Sequence, residues 1–307
     1  MDLLVKEGHF VTSLDNFSTG SSKNTAHLRE NSNFRSIKGN ILDLDFISNK
    51  FEDVDRVIHL AASVGVLNIV GNPLSSLLTN INGTHNVLEL CNRYQKPVLI
   101  ASSSEIYGKN TEAKLHERSN RIIGSPQITR WSYSDAKAID EHLALAMHHE
   151  LGLEARIVRL FNTVGPRQSD KYGMVLPKLV KSALLNEPLI VHGDGRQKRS
   201  FGHVLDIVKA IYLIDCSPET IGTPVNIGVE NEISIYELAN LIISVTKSKS
   251  TIELHSHKDI FGDNFEDMDR RFPDTSLLQQ FTGWVPERSL LDIINDISNE
   301  IRARNLL

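Results

Sequence analysis

Short β-branched runs alternate with longer amphipathic stretches through the first half of the chain. HFVTSL (9–14), DRVIHLAA (55–62), KPVLIASS (96–103) and EARIVRLF (154–161) predict strands. Between them, residues 77–94 carry Ile81, Val87, Leu88 and Leu90 at mixed three- and four-residue spacings. Residues 134–151 carry Ala138, Leu143, Leu145, Ala146 and Met147. Both stretches predict helices with one buried face. Such alternation specifies a parallel sheet with helices on both faces, an α/β doubly wound, Rossmann-like architecture. After Phe161 the pattern changes: a turn-rich NTVGPRQSDKYG precedes a helix near 176–186, the short strand LIVHG and the loop GDGRQKRSF. ERSLLDIINDISNEIRAR closes the chain as a helix. A nucleotide-binding domain over 1–165 and a smaller mixed α/β substrate domain over 166–307 are expected, with part of 203–228 returning to the first.

Composition narrows the class without naming a chemistry. The chain has 307 residues, 33 Lys and Arg against 38 Asp and Glu, and a formal charge of −5. It lacks the basic excess of a dedicated nucleic-acid binder. Cys91 and Cys216 cannot build a disulfide framework or a four-thiolate zinc site, which fits a cytoplasmic setting. No apolar run approaches the ~20 residues of a membrane helix, so no membrane partner is expected. The opening MDLLVKEGHF is too short and too charged for a signal peptide. His148–His149 and His255/His257 lack companions at zinc spacing, and neither a GxSxG elbow nor a Walker loop occurs.

Tyr133 and Lys137, one turn apart, share a face of the 134–151 helix. A tyrosine of pKa ~10 needs a drop of about 3 units, roughly 4 kcal/mol, to act as a base at neutral pH. A neighbouring ammonium acts in that direction. The alternative is a snorkelling lysine beside an amphipathic tyrosine. ASSSEIYG (101–108) decides between them. It ends a buried strand, and in open parallel sheets ligands bind at the carboxyl ends of the strands.

With those two motifs placed, the chain resembles the extended short-chain dehydrogenase/reductases, specifically the NAD-dependent nucleotide-sugar epimerases, dehydratases and decarboxylases. The matching segments run in order: LDNFSTG (14–20), VIHLAA (57–62), NINGTHNVLE (80–89), SSSEIYG (102–108) and YSDAK (133–137). RLFNTVGPRQ (159–168), GDGRQKRSFGHVLDIVKA (193–210), VNIG (225–228) and FGDNFEDMDRRFPD (261–274) follow. The resemblance implies that Tyr133 takes the sugar hydroxyl proton. Lys137 lowers its pKa and holds the nicotinamide ribose, Ser103 bonds the reacting sugar oxygen, and Glu105 is an acid/base group. For NAD it implies Asp15 and Asn16 at the adenosine ribose, Asn40 and Ile41 at the adenine, and Leu60, Ala61, Ala62 and Ser102 along the cofactor. For the nucleotide sugar it implies Ser104, Asn162, Arg199 and Arg271, arginine's planar fork being suited to a diphosphate. Tyr107 and Asp206 read as structural. A homodimer through residues 77–94 and 134–151 is expected by the same resemblance.

The family's Gly-rich phosphate turn is missing. No GxxGxxG occurs, and MDLLVKEGHFVTSLD matches the end of the family's first helix onward. The first βα half-unit is expected to be absent, through an internal start or a truncation, leaving two strands of the sheet without a common neighbour. The implied activity is transient C4 oxidation of a UDP-linked sugar. A 4-epimerase is the first choice. A UDP-uronic acid decarboxylase or a 4,6-dehydratase is second, because Glu105 suits those chemistries, and an inactive nucleotide-sugar-binding remnant is the rival from another class.

Overall fold

The computed structural model describes residues 1–169, 174–256 and 266–304. In chain order the elements are α1 (Asp2–Lys6), β1 (Val11–Asp15), β2 (Phe34–Lys38), α2 (Leu44–Ser48), β3 (Val57–His59), α3 (Val66–Gly71), α4 (Pro73–Arg93), β4 (Val98–Ser103), α5 (Ser132–Leu151) and β5 (Ala155–Leu160). There follow β6 (Thr163–Val164), α6 (Val175–Leu185), β7 (Leu189–His192), β8 (Lys198–Ser200), β9 (Gly202–His203), α7 (Val204–Cys216), β10 (Pro224–Ile227) and β11 (Glu232–Ser234). The last are α8 (Ile235–Thr246), β12 (Ile252–His255), β13 (Arg270–Arg271), α9 (Ser276–Thr282) and α10 (Leu290–Ala303).

The central sheet runs β10-β5-β4-β3, all parallel, with Ile100 opposite Ile157 and Ile157 opposite Pro224. The pleat sends alternate residues to opposite helix layers. Val98, Ile100, Ala155 and Ile157 pack with Val87, Leu88 and Leu90 of α4 and Ala144 of α5. Leu99, Val158 and Val225 pack with Ile207 and Ile214 of α7 and Leu278 of α9. Each fully buried Leu or Ile contributes about 1.5–3 kcal/mol relative to exposure. β10, late in the chain, forms the edge of this sheet beside β5.

A further core joins Leu176, Leu179 and Val180 of α6, Leu189 and Val191 of β7, Leu238 and Ile242 of α8, and Ile293, Ile294 and Ile297 of α10. Serine caps with acidic partners start two of its helices, Ser234 with Glu237 on α8 and Ser289 with Asp292 on α10. β8 lies between antiparallel β11 and parallel β13, and β7 pairs with β12.

β1 and β2 form a sheet of their own. Among the described residues no strand pairing joins it to β3. Leu14 of β1 and Val57 of β3 nevertheless pack against one apolar cluster, with α4 in it. Val11 to Leu14 are only partly buried, and so are Val57 and Ile58, while Val98, Leu99 and Ile100 are fully enclosed. β3 is also shorter than the 55–62 run predicts, ending at His59 and leaving Leu60 54% exposed.

Candidate active site

The carboxyl ends of β4 and β5 open onto a cavity of about 850 Å³. Ser103 ends β4, and its hydroxyl accepts from the Glu105 amide at 3.3 Å, turning the chain into a 3-10 helix over Ser104–Tyr107. Gly108 closes that turn at φ 59°, where a Cβ would sit 2.3 Å from the Ile122 carbonyl oxygen. The first turns of α5 bring Tyr133 and Lys137 to the same cavity. Leu60, Ala62, Ser102, Ser103, Ser104, Glu105, Asn162, Arg199 and Arg271 line it with them. Asp15, Asn16, Asn40, Ile41 and Ala61 are not in its wall.

Those outlying residues belong to the β1–β2 sheet and its loops, except Ala61, which follows β3. Asp15 ends β1 exposed, one carboxylate oxygen accepting from the Phe17 amide at 2.7 Å. Asn16 accepts from Ser18, and Asn40 from the Leu42 amide at 3.1 Å. Ile41 lies against Gly83 of α4, where a Cβ would come within 2.3 Å of its side chain. Ahead of β1, α1 is a single short helix, Asp2–Lys6. There Asp2 is engaged by Arg167 at 2.5 Å and by His27 at 3.2 Å.

The electrostatics differ from the expectation in one respect. Lys137 donates to Asp140 at 3.0 Å, and Tyr133 stands well above the usual tyrosine range. Burial raises it first and the Glu105 carboxylate adds to that, while a hydrogen bond with Ser103 opposes both. The Asp140 carboxylate that Lys137 engages also raises Tyr133, and Arg130 acts the other way. His59, buried at the end of β3 and bonded to Thr84 at 3.1 Å, is held down at about 3 by burial and by Lys137.

Three residues of this site escaped the sequence reading. Arg130, in a 3-10 turn just before α5, is 2% exposed and grips Glu105. Asp267 bridges Arg199 at 3.0 Å and Arg130 at 3.5 Å. Asp140 was hidden in the predicted helix. The available signal for Arg130 was its place three residues before Tyr133, which puts it on the site side of α5. FGDNFEDMDRRFPD lies partly outside the described residues, at 261–265. Tyr107 bonds Asn226 at 2.7 Å and Arg159 at 3.0 Å inside the core, and Asp206 holds the 287–288 amides.

The GDP-mannose 4,6 dehydratase family model matches residues 1–297. The chain belongs to that family. This agrees with the resemblance to nucleotide-sugar-modifying short-chain dehydrogenase/reductases and makes the chain an enzyme of that type. A UDP-N-acetyl-alpha-D-glucosaminuronate decarboxylase of Bacillus cytotoxicus is 37% identical over 287 residues, 93% of this chain and 88% of its own. UDP-glucuronic acid decarboxylase 1 of Danio rerio is 33% identical, covering 96% of this chain and 67% of its own. Among solved structures, a UDP-glucuronic acid 4-epimerase of Bacillus cereus in complex with UDP-glucuronic acid and NAD superposes with a TM-score of 0.87 and 25% identity. That match covers 99% of this chain and 94% of the epimerase. These two relatives in sequence are decarboxylases, and the first-choice 4-epimerase is not supported. Among the described residues no helix is long and apolar enough to cross a membrane, and no group of three or more His, Cys, Asp or Glu is placed to hold a metal ion.

Proposed function

We propose that this dehydratase-family chain is an NAD-dependent decarboxylase of a UDP-linked uronic acid. The observation that carries this reading is the similarity to decarboxylases of two such substrates over more than nine-tenths of the chain. The cavity supports it, because Arg130, Arg199 and Arg271 outnumber Glu105 and Asp267 in its wall, suiting a ligand with both a diphosphate and a carboxylate.

The residues present fit NAD at its two ends. The buried Ser102 hydroxyl has no partner and lies in the wall with Leu60 and Ala62, on the nicotinamide side. Asp15 offers a carboxylate to the adenosine ribose, and an unphosphorylated 2′-hydroxyl suits it better than a phosphate. NAD, when bound, supplies hydride acceptance and return at the sugar C4. Tyr133, as its phenolate, takes the C4 hydroxyl proton, and Ser103 orients the same oxygen. Lys137 holds the nicotinamide ribose beside Tyr133, and Asn162, Arg199 and Arg271 hold the diphosphate. Oxidation at C4 would place a carbonyl β to the C6 carboxylate; carbon dioxide then leaves, the C5–C6 electron pair stays on the sugar as a C4–C5 enolate, and C5 takes up one proton before the C4 carbonyl is reduced. We assign residues 1–165, with 204–227, to cofactor binding and most of the remainder to the nucleotide sugar.

Incubation with NAD and either UDP-glucuronate or UDP-N-acetylglucosaminuronate should release carbon dioxide and leave a UDP-pentose or its N-acetylamino counterpart. A C4 epimer with the carboxylate retained would restore the 4-epimerase. A keto-deoxy product from UDP-glucose would favour the dehydratase. We also propose a homodimer through α4 and α5, which expose Leu74, Leu78, Ile139 and Leu151. Light scattering of the parent should give twice the chain mass, and Leu78→Glu should halve it.

A further inference from the structure

Glu105 sits among cations in the cavity wall. Arg130 meets its carboxylate with a two-nitrogen fork, Nη1 donating to Oε2 and Nη2 to Oε1, the latter at 3.1 Å. From β13, Arg271 Nη1 donates to Oε1 at 3.3 Å. Arg130 also reaches Asp267, which Arg199 holds from the other side. The Glu105 carboxylate in turn raises Tyr133 of α5, and Asp267 is the like charge that faces it. Three guanidinium groups and two carboxylates therefore form one cluster, with the Arg130 side chain buried beneath it.

A carboxylate enclosed this completely would ordinarily take up a proton, because burial penalises the charged form. Here burial pushes Glu105 up, but Arg130 and then Arg271 outweigh it and hold the carboxyl below its usual range. The geometry of the fork matters as well as its charge. Two parallel N–H donors fix both carboxylate oxygens, where a lysine ammonium would fix one.

We propose that Arg130 is a positioning residue whose fork fixes Glu105 as an anion in the cavity wall, so that Glu105 meets a ligand as a hydrogen-bond acceptor and not as a proton donor. The role rests on the cavity being the nucleotide-sugar site, but its first test does not. It also corrects the resemblance at one point: the acid half of the acid/base role implied for Glu105 is closed while the fork is in place.

The test follows the Glu105 carboxyl through acid pH by infrared difference spectroscopy of the full chain, with Glu105→Gln assigning the signal. In Arg130→Gln the carboxyl should take up its proton at least about one pH unit higher than in the parent, a tenfold change in proton affinity. Arg130→Lys, which keeps the charge and loses the fork, should give a smaller rise. An unchanged titration in folded Arg130→Gln overturns the proposal. If that variant does not fold, an unchanged titration in Arg130→Lys overturns it. The acid limb of carbon dioxide release from UDP-glucuronate should move upward with the carboxyl. Absence of turnover on any UDP-uronic acid would refute the decarboxylase reading alone, since the infrared titration needs no turnover.

Discussion

Lys137 Nζ donates to Asp140 Oδ2 at 3.0 Å, three residues along the same helix, with both side chains buried. Neither charge can be left alone at this depth. Removing one partner of a buried pair typically costs about 3–5 kcal/mol, mostly the penalty on the charge that remains. Asp140→Ala should lose stability on that scale. Asp140→Ala combined with Lys137→Met should recover part of it, because the second change removes the stranded ammonium. Chemical denaturation of the three variants checks this, and a strictly additive double variant would contradict it.

Tyr133→Phe removes one hydroxyl from the cavity wall and leaves the ring. Turnover should fall by about 10²–10⁴-fold, the range for loss of a general acid–base group. UDP binding measured by calorimetry should stay within a few-fold of the parent. Retention of near-parental turnover would remove Tyr133 from the proton path.

His59 is buried neutral, bonded to Thr84, with its pKa depressed to about 3. In the unfolded chain it titrates near 6.5, so between about 6.5 and 3 the unfolded state binds more protons. Its contribution to stability is therefore full above about 6.5 and is lost as pH falls through that window. Denaturation midpoints measured from pH 7 to pH 4 should fall, and less steeply in His59→Gln. Parallel curves for the two proteins would refute this assignment.

Among the described residues β1 pairs with β2 alone and β3 with β4 alone, while α1 offers the dinucleotide phosphates one short turn whose Asp2 already engages Arg167. Pyrophosphate carries about two negative charges and is normally met by free amides at a helix start. The 307-residue chain should therefore bind NAD more weakly than micromolar. A version extended by a parallel strand and a Gly-rich turn should bind it more tightly and melt at a higher temperature. Calorimetry comparing the two decides it, and micromolar binding by the 307-residue chain would contradict the expectation.

The strand run KPVLIASS and the SSSEIYG turn were legible because a buried parallel strand is nearly all apolar and its exit is not. Tyr133 and Lys137 were legible because one helical turn separates them. The buried face of α5 was harder to read. Its enclosed positions include Lys137, Asp140 and Glu141, while Ala146, expected on the apolar face, is exposed. Periodicity counts apolar residues, and here ion pairs occupy the inward positions. Arg130 was missed for the same reason, since a charged residue in a short turn reads as surface until a carboxylate is found beneath it.

The sequence by itself determined the order of strands and helices and the collinear family motifs. These are local or sequential properties, carried by spacing along the chain. Only the tertiary structure decided which charges neutralise which. Glu105, Arg130, Asp267, Arg199 and Arg271 are spread over 167 positions of sequence, from 105 to 271, yet meet in one cavity wall. Charge pairing depends on distances of 3–4 Å and on exclusion of water. Both arise only once β4, α5 and β13 have packed together.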